Sequence, residues 1–331
     1  MKKDERLEHL RVISCCFVIL GHIANWYMRE YPDLPLNSYI CGLIVNGICR
    51  ISVPVFFMIS GALLLEQTIN YKKSLKRTGS MLFKTIVWTL VFMVWDYLYL
   101  DDAYDLQQIF TTPIRVHFWF MYVMVGICLT TPLWQKLVSG DSEKLMYYFS
   151  VTFIAVMALT FVLNMLRMNI TYEIPLLGNS CYAGYFIMGY VLRHYADKIN
   201  IKKWICFAVL LLCITCTNVL TWIYTKNTGS HYETFSDFRS VFIGVSAMTI
   251  FYMAMKMKEP PKRIWVTALS KHSFNIYMIH VFFLDILQQN IDVTKVNAWW
   301  GTPVFFIFML SLSFAFSWVF EKAKGKKITI I

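Results

Sequence analysis

The chain has 331 residues, 57% of them hydrophobic and only 15% charged, with a formal net charge of +11 at pH 7. Repeated apolar runs of about 18 residues or more exclude a soluble globular domain and indicate an all-α, polytopic membrane protein. The spans use up the length, so residues 1–331 read as a single transmembrane domain.

About ten spans are predicted, at roughly 10–28, 38–65, 80–99, 117–137, 145–165, 179–195, 203–224, 237–256, 273–290 and 300–320. Residues 12–21 resemble the apolar core of a signal peptide. Trp26, Tyr27 and Met28 follow instead of a small-residue cleavage site, so this segment is read as the first span. With the N-terminus placed inside, the inner side collects 23 of the 31 Lys and Arg residues and the outer side 6, with Arg50 and Lys84 inside spans. That split follows the positive-inside rule and puts both termini in the cytoplasm. The net positive charge is thereby accounted for by orientation and anionic lipid, with no nucleic acid required.

The first span reads RVISCCFVILGH from Arg11 to His22. Eleven helical steps of about 100° and about 1.5 Å return His22 to the azimuth of Arg11, about 16 Å further along the axis. Arg11 then stands at the inner edge of the bilayer and His22 near its middle, where an ionisable group is costly and marks a functional site. Most of the nine cysteines lie in apolar segments and act as small hydrophobes. Cys213 and Cys216 form C-x-x-C within a span, with no metal or redox role expected.

In the second span, Pro54 cannot donate to the carbonyl of Arg50, so the helix is interrupted beside a mid-membrane arginine. Either Arg50 pairs with a neighbour such as Asp96 in a kinked packing helix, or it lines a polar cavity shared with His22. Ser60 before Gly61 is read as a packing residue. The loop after this span carries Lys72, Lys73, Lys76 and Arg77. His117, Trp119 and Tyr122 open the fourth span, either as an aromatic belt or as a platform for a sugar ring. Tyr182, Tyr185 and Tyr190 surround Gly184 and Gly189, which suits helix packing through small residues. The ninth span places Tyr277 and His280 near mid-depth.

Taken in order, the Arg11-x10-His22 spacing, VPVFFMISG at 53–61, HFWFMYVMVGICLTTPL at 117–133, GYFIMGYVL at 184–192 and SFNIYMIH at 273–280 resemble the integral-membrane acyltransferase-3 family. The resemblance covers essentially the whole chain and is strongest to stand-alone bacterial O-acetyltransferases of surface polysaccharide. It implies a multi-pass protein of the bacterial cytoplasmic membrane that takes an acetyl group from cytoplasmic acetyl-CoA to a hydroxyl of a cell-surface or lipid-linked glycan, with no metal. Under that resemblance, His22, Arg11 and Arg50 are the expected catalytic residues. Arg11 with Lys72, Lys73, Lys76 and Arg77 is expected to hold CoA. His117, Trp119, Tyr122, Tyr277 and His280 are expected to face the glycan acceptor. Buried Arg and His also suit a proton-coupled transporter, and a non-enzymatic sensor or assembly protein is a further alternative.

Overall fold

The structure, a computed structural model, describes residues 3–102, 104, 112–140, 142–166 and 181–323. Lys2, Arg167, Lys324, Lys326 and Lys327, used in the charge count, and the first two residues of the sixth expected span lie outside the described residues.

The helices, in chain order, are α1 (Glu5–Arg29), α2 (Leu36–Cys49), α3 (Ser52–Leu64), α4 (Tyr71–Trp95), α5 (Trp119–Val138), α6 (Glu143–Met165), α7 (Cys181–His194), α8 (Lys203–Thr228), α9 (Val241–Lys256), α10 (Ile264–Asn290) and α11 (Ala298–Ala323). No strand occurs among the described residues. Among the described residues, eight segments are long and apolar enough to cross a membrane: α1, α2 with α3, α4, α5, α6, α8, α9 and α11, some with their flanking turns. The two other expected spans coincide with α7 and α10. Fourteen residues of α7 form a helix, and the 27 residues of α10 carry buried Ser270, His272, Ser273, His280 and Asp285, which lower its apolar character.

Residues 1–62 with 147–331 form one compact unit and residues 63–146 another, and each is described by itself. In the first unit, α1 starts where the sequence provides a cap. The Asp4 side chain accepts from the Arg6 N–H at 3.1 Å, and Glu5 and Glu8 occupy the first turn, where negative charge suits the helix dipole. The helix then runs unbroken past His22. The second span breaks where Pro54 requires. α2 closes with the Arg50 N–H donating to the Asn46 carbonyl (2.9 Å), and α3 opens with the Val55 N–H donating to the Ile51 carbonyl (3.1 Å).

α1 and α10 lie side by side and parallel, in one register. Glu8 and Arg11 meet Ser270, the Cys15 thiol donates to the Ser273 carbonyl, and His22 meets His280. α2 and α8 run antiparallel: Tyr39 bonds Thr225, and Asn218 lies against Gly47. α3 and α7 cross where their backbones touch, Gly61 against the Phe186 carbonyl and Gly189 against the Met58 carbonyl, with no room for a Cβ at either. α10 and α11 are tied by polar groups. Ser317 Oγ lies 2.7 Å from His272 Nδ1 and accepts from Asn275 at 3.1 Å, and Lys271 reaches Glu321 at 2.8 Å.

In the second unit, Asn70 caps α4 by accepting from the Lys73 N–H (2.9 Å). α4 ends in a π-helical turn over Asp96–Leu100. Ser74 donates to the Cys128 carbonyl (2.7 Å) and Arg115 pairs with Asp96, which holds α4 and the chain entering α5 antiparallel.

Candidate active site

Two polar levels lie along α1, and a third polar group stands at the α2–α3 break. At the first, near the α1 N-terminus, Arg11 Nη1 donates to Glu8 Oε1 (3.2 Å) and to Ser270 Oγ (3.3 Å), and Ser270 donates to the other Glu8 oxygen. Glu8 is buried and Arg11 half-buried. Arg11 is therefore anchored at one corner of its guanidinium, with its other N–H groups left over.

The second level lies eleven residues on. The His22 and His280 ring centroids stand 5.1 Å apart at 52°. His280 Nδ1 lies 3.1 Å from the Ile276 carbonyl, which can only accept, so Nδ1 carries the proton and the neutral ring keeps its lone pair on Nε2. Tyr277 follows at 6.0 Å from His280. His280 is fully buried, whereas His22 keeps part of its surface accessible.

The third level is Arg50, at the α2–α3 break. Its guanidinium lies over the Phe238 ring at 5.6 Å, and its buried Nε–H has no partner among the described residues. Asp96, the neighbour named above for Arg50, is engaged within its own unit by Arg115 and by Tyr104 (2.6 Å). At the break an aromatic ring holds Arg50 by a cation–π contact. The charges of Arg50 and Arg29 both act on His22. Ser60 donates to the Phe56 carbonyl one turn back (2.9 Å), the bond of a packing serine.

Sequence reasoning missed the loop between α8 and α9, residues 229–240. Tyr39 lies 3.0 Å from both Thr225 Oγ1 and His231 Nδ1. Glu233 pairs with Arg29 at 3.7 Å. With its amide turned to satisfy both neighbours, Asn25 donates to Glu233 (3.2 Å) and accepts from Arg29 Nε (3.1 Å). Burial pushes the His231 pKa down to about 4, so the ring is neutral near pH 7. Polar loops between spans look alike in sequence, and only Glu8, three residues before Arg11, had a spacing that could have been read.

The remaining expected site residues belong to the second unit. His117 is buried, stacked on Phe118 (4.6 Å) and edge-on to Phe92 (5.2 Å). The Trp119 ring lies 6.3 Å from that of Phe120, and Tyr122 is exposed. Lys72, Lys73 and Lys76 are exposed. Lys73 and Arg77 both donate to Gln67, at 3.1 and 2.5 Å. Among the described residues no group of three or more His, Cys, Asp or Glu side chains is set to hold a metal ion.

Neither the curated proteins nor the solved structures give a match. The model of the acyltransferase-3 family, described as an acyltransferase domain, matches residues 4–322, essentially the whole chain, and the protein belongs to that family of membrane acyltransferases.

Proposed function

We propose that the protein moves an acetyl group from acetyl-CoA on the cytoplasmic side to a hydroxyl of a surface or lipid-linked glycan, at the inner membrane of a bacterium. The observation that carries this reading is the His22–His280 pair, in which His22 shares a helix with Arg11 and lies in the electrostatic reach of Arg50. With the N-terminus inside, Arg11 takes a CoA phosphate with the N–H groups that Glu8 and Ser270 leave over. The thioester then reaches the level of His22.

His22 takes the proton of the acceptor hydroxyl as its oxygen attacks the thioester carbonyl. Arg50, through its guanidinium charge, stabilises the oxyanion of the tetrahedral intermediate. The C–S bond breaks, the acetyl group remains on the acceptor oxygen as an ester, and the proton on His22 passes to the CoA thiolate. His280, its tautomer fixed by Ile276, is the positioned partner of that base.

Mass spectrometry of surface glycans from cells with and without the protein tests the reading. An acetyl increment present only with the protein is expected. Identical glycans in the two cell types would overturn it.

A further inference from the structure

We infer that the loop between α8 and α9 builds an acceptor subsite for a polyhydroxylated ligand, with His231, positioned by Tyr39, and Arg50 as its recognising groups. This rests on the acyltransferase reading and adds where the acceptor is held.

The hydrogen bonds fix which way each group faces. Thr225 Oγ1 accepts from the Tyr232 N–H at 3.0 Å and from the Tyr39 hydroxyl at 3.0 Å. With its own proton committed to Thr225, the Tyr39 oxygen is the acceptor for His231 Nδ1–H, 3.0 Å away. The neutral His231 ring then has its lone pair on Nε2, and that atom is buried with no partner among the described residues. Arg50 offers the complementary group, a buried and unpartnered Nε–H donor. An unmet buried polar group is costly, so two of opposite sense in one neighbourhood call for something to fill them. A sugar hydroxyl both donates and accepts and can meet either group.

The two residues share that neighbourhood. The charge of Arg50 acts on His231, and the Arg50 guanidinium lies over Phe238 of the same loop. The loop is held in place from several sides. Tyr185 donates to the Phe238 carbonyl (2.5 Å), Glu233 is gripped by Arg29, and Arg239 pairs with Asp237 (2.8 Å). Half-buried Tyr31 and Trp222 pack around Tyr39, with ring centroids 4.8 and 5.5 Å from it, and supply aromatic surface of the kind that sugar rings cover. Arg50 and Arg29 also act on His22, which links this corner to the proposed base.

The test uses purified full-length protein in detergent, radiolabelled acetyl-CoA, and the envelope glycolipid fraction from cells lacking the protein. KM is measured separately for donor and acceptor. His231→Ala and Tyr39→Phe are expected to raise the acceptor KM about tenfold, the effect of one lost hydrogen bond. The acetyl-CoA KM should stay at the wild-type value, and His231→Gln should recover most of the loss. An unchanged acceptor KM in His231→Ala overturns the subsite. A rise in both constants together with a lower melting temperature also overturns it, because that is the mark of a structural loop. Wild-type protein that transfers no label to the fraction overturns the acyltransferase reading itself, a result distinct from either of these.

Discussion

His22 of α1 and His280 of α10 face each other with ring centroids 5.1 Å apart, although 258 residues separate them in the chain. The parallel register of the two helices produces this, since the same offset brings Cys15 to Ser273. Under the proposed reading, two imidazoles so placed are expected to act as one unit. Either His22→Ala or His280→Ala should therefore lower glycan acylation by about 10²–10⁴, the usual contribution of a general base. The double variant should lose little more than the worse single one. Losses that simply multiply would show that the two rings work independently.

Arg11 and Glu8 form a second testable pair. Glu8 is buried, and both its oxygens are taken, by Arg11 and by Ser270. Arg11→Ala should raise the KM for acetyl-CoA, and Arg11→Lys should restore it only in part, because a lysine lacks the planar fork. Glu8→Gln should raise the same constant by a smaller factor and add nothing in the Arg11→Ala background. Equal effects of Glu8→Gln in both backgrounds would mean that Glu8 acts on α1 packing rather than through Arg11.

The helical frame and the Arg11–His22 stripe were legible because both rest on local periodicity and spacing. The break at Arg50 was legible for the same reason, since Pro54 lacks an N–H wherever it sits. Partners were not legible. The Arg115 that engages Asp96 and the Phe238 ring that lies under Arg50 carry no local signature in the sequence. The part played by residues 229–240 depends on α2, α8 and α1 converging, which no span-by-span reading contains. α10 shows the same limit in hydropathy, because its polar residues are accommodated by α1 and α11.

His231 gives a pH prediction with a definite sign. Its ordinary pKa of 6.5 falls to about 4 in the fold through burial, with Arg50 and Arg29 acting in the same direction and Glu233 against. Between those values the unfolded chain binds the proton that the folded loop refuses. This contribution to stability is full above about 6.5 and is lost as the pH falls toward about 4. The melting temperature of the solubilised protein should drop across that window, and His231→Gln should make the drop shallower. An identical pH dependence in the variant would remove His231 as its source.

The α3–α7 crossing is tested by adding one methyl group. A Cβ on Gly61 would fall on the Phe186 carbonyl oxygen, a backbone atom that cannot swing away as a side chain can. Overpacking of this kind costs about 1–3 kcal/mol, and two transmembrane helices in close contact have little freedom to separate without losing their other packing. Gly79 on α4 is the matched control, because a Cβ there meets nothing within 4 Å. An alanine at that helical position should be neutral or stabilising by about 0.5–1 kcal/mol. The expected result is a lower melting temperature for Gly61→Ala and an unchanged or higher one for Gly79→Ala, both read in the same detergent. If the two variants melt together at the wild-type temperature, the backbones of α3 and α7 do not meet at Gly61.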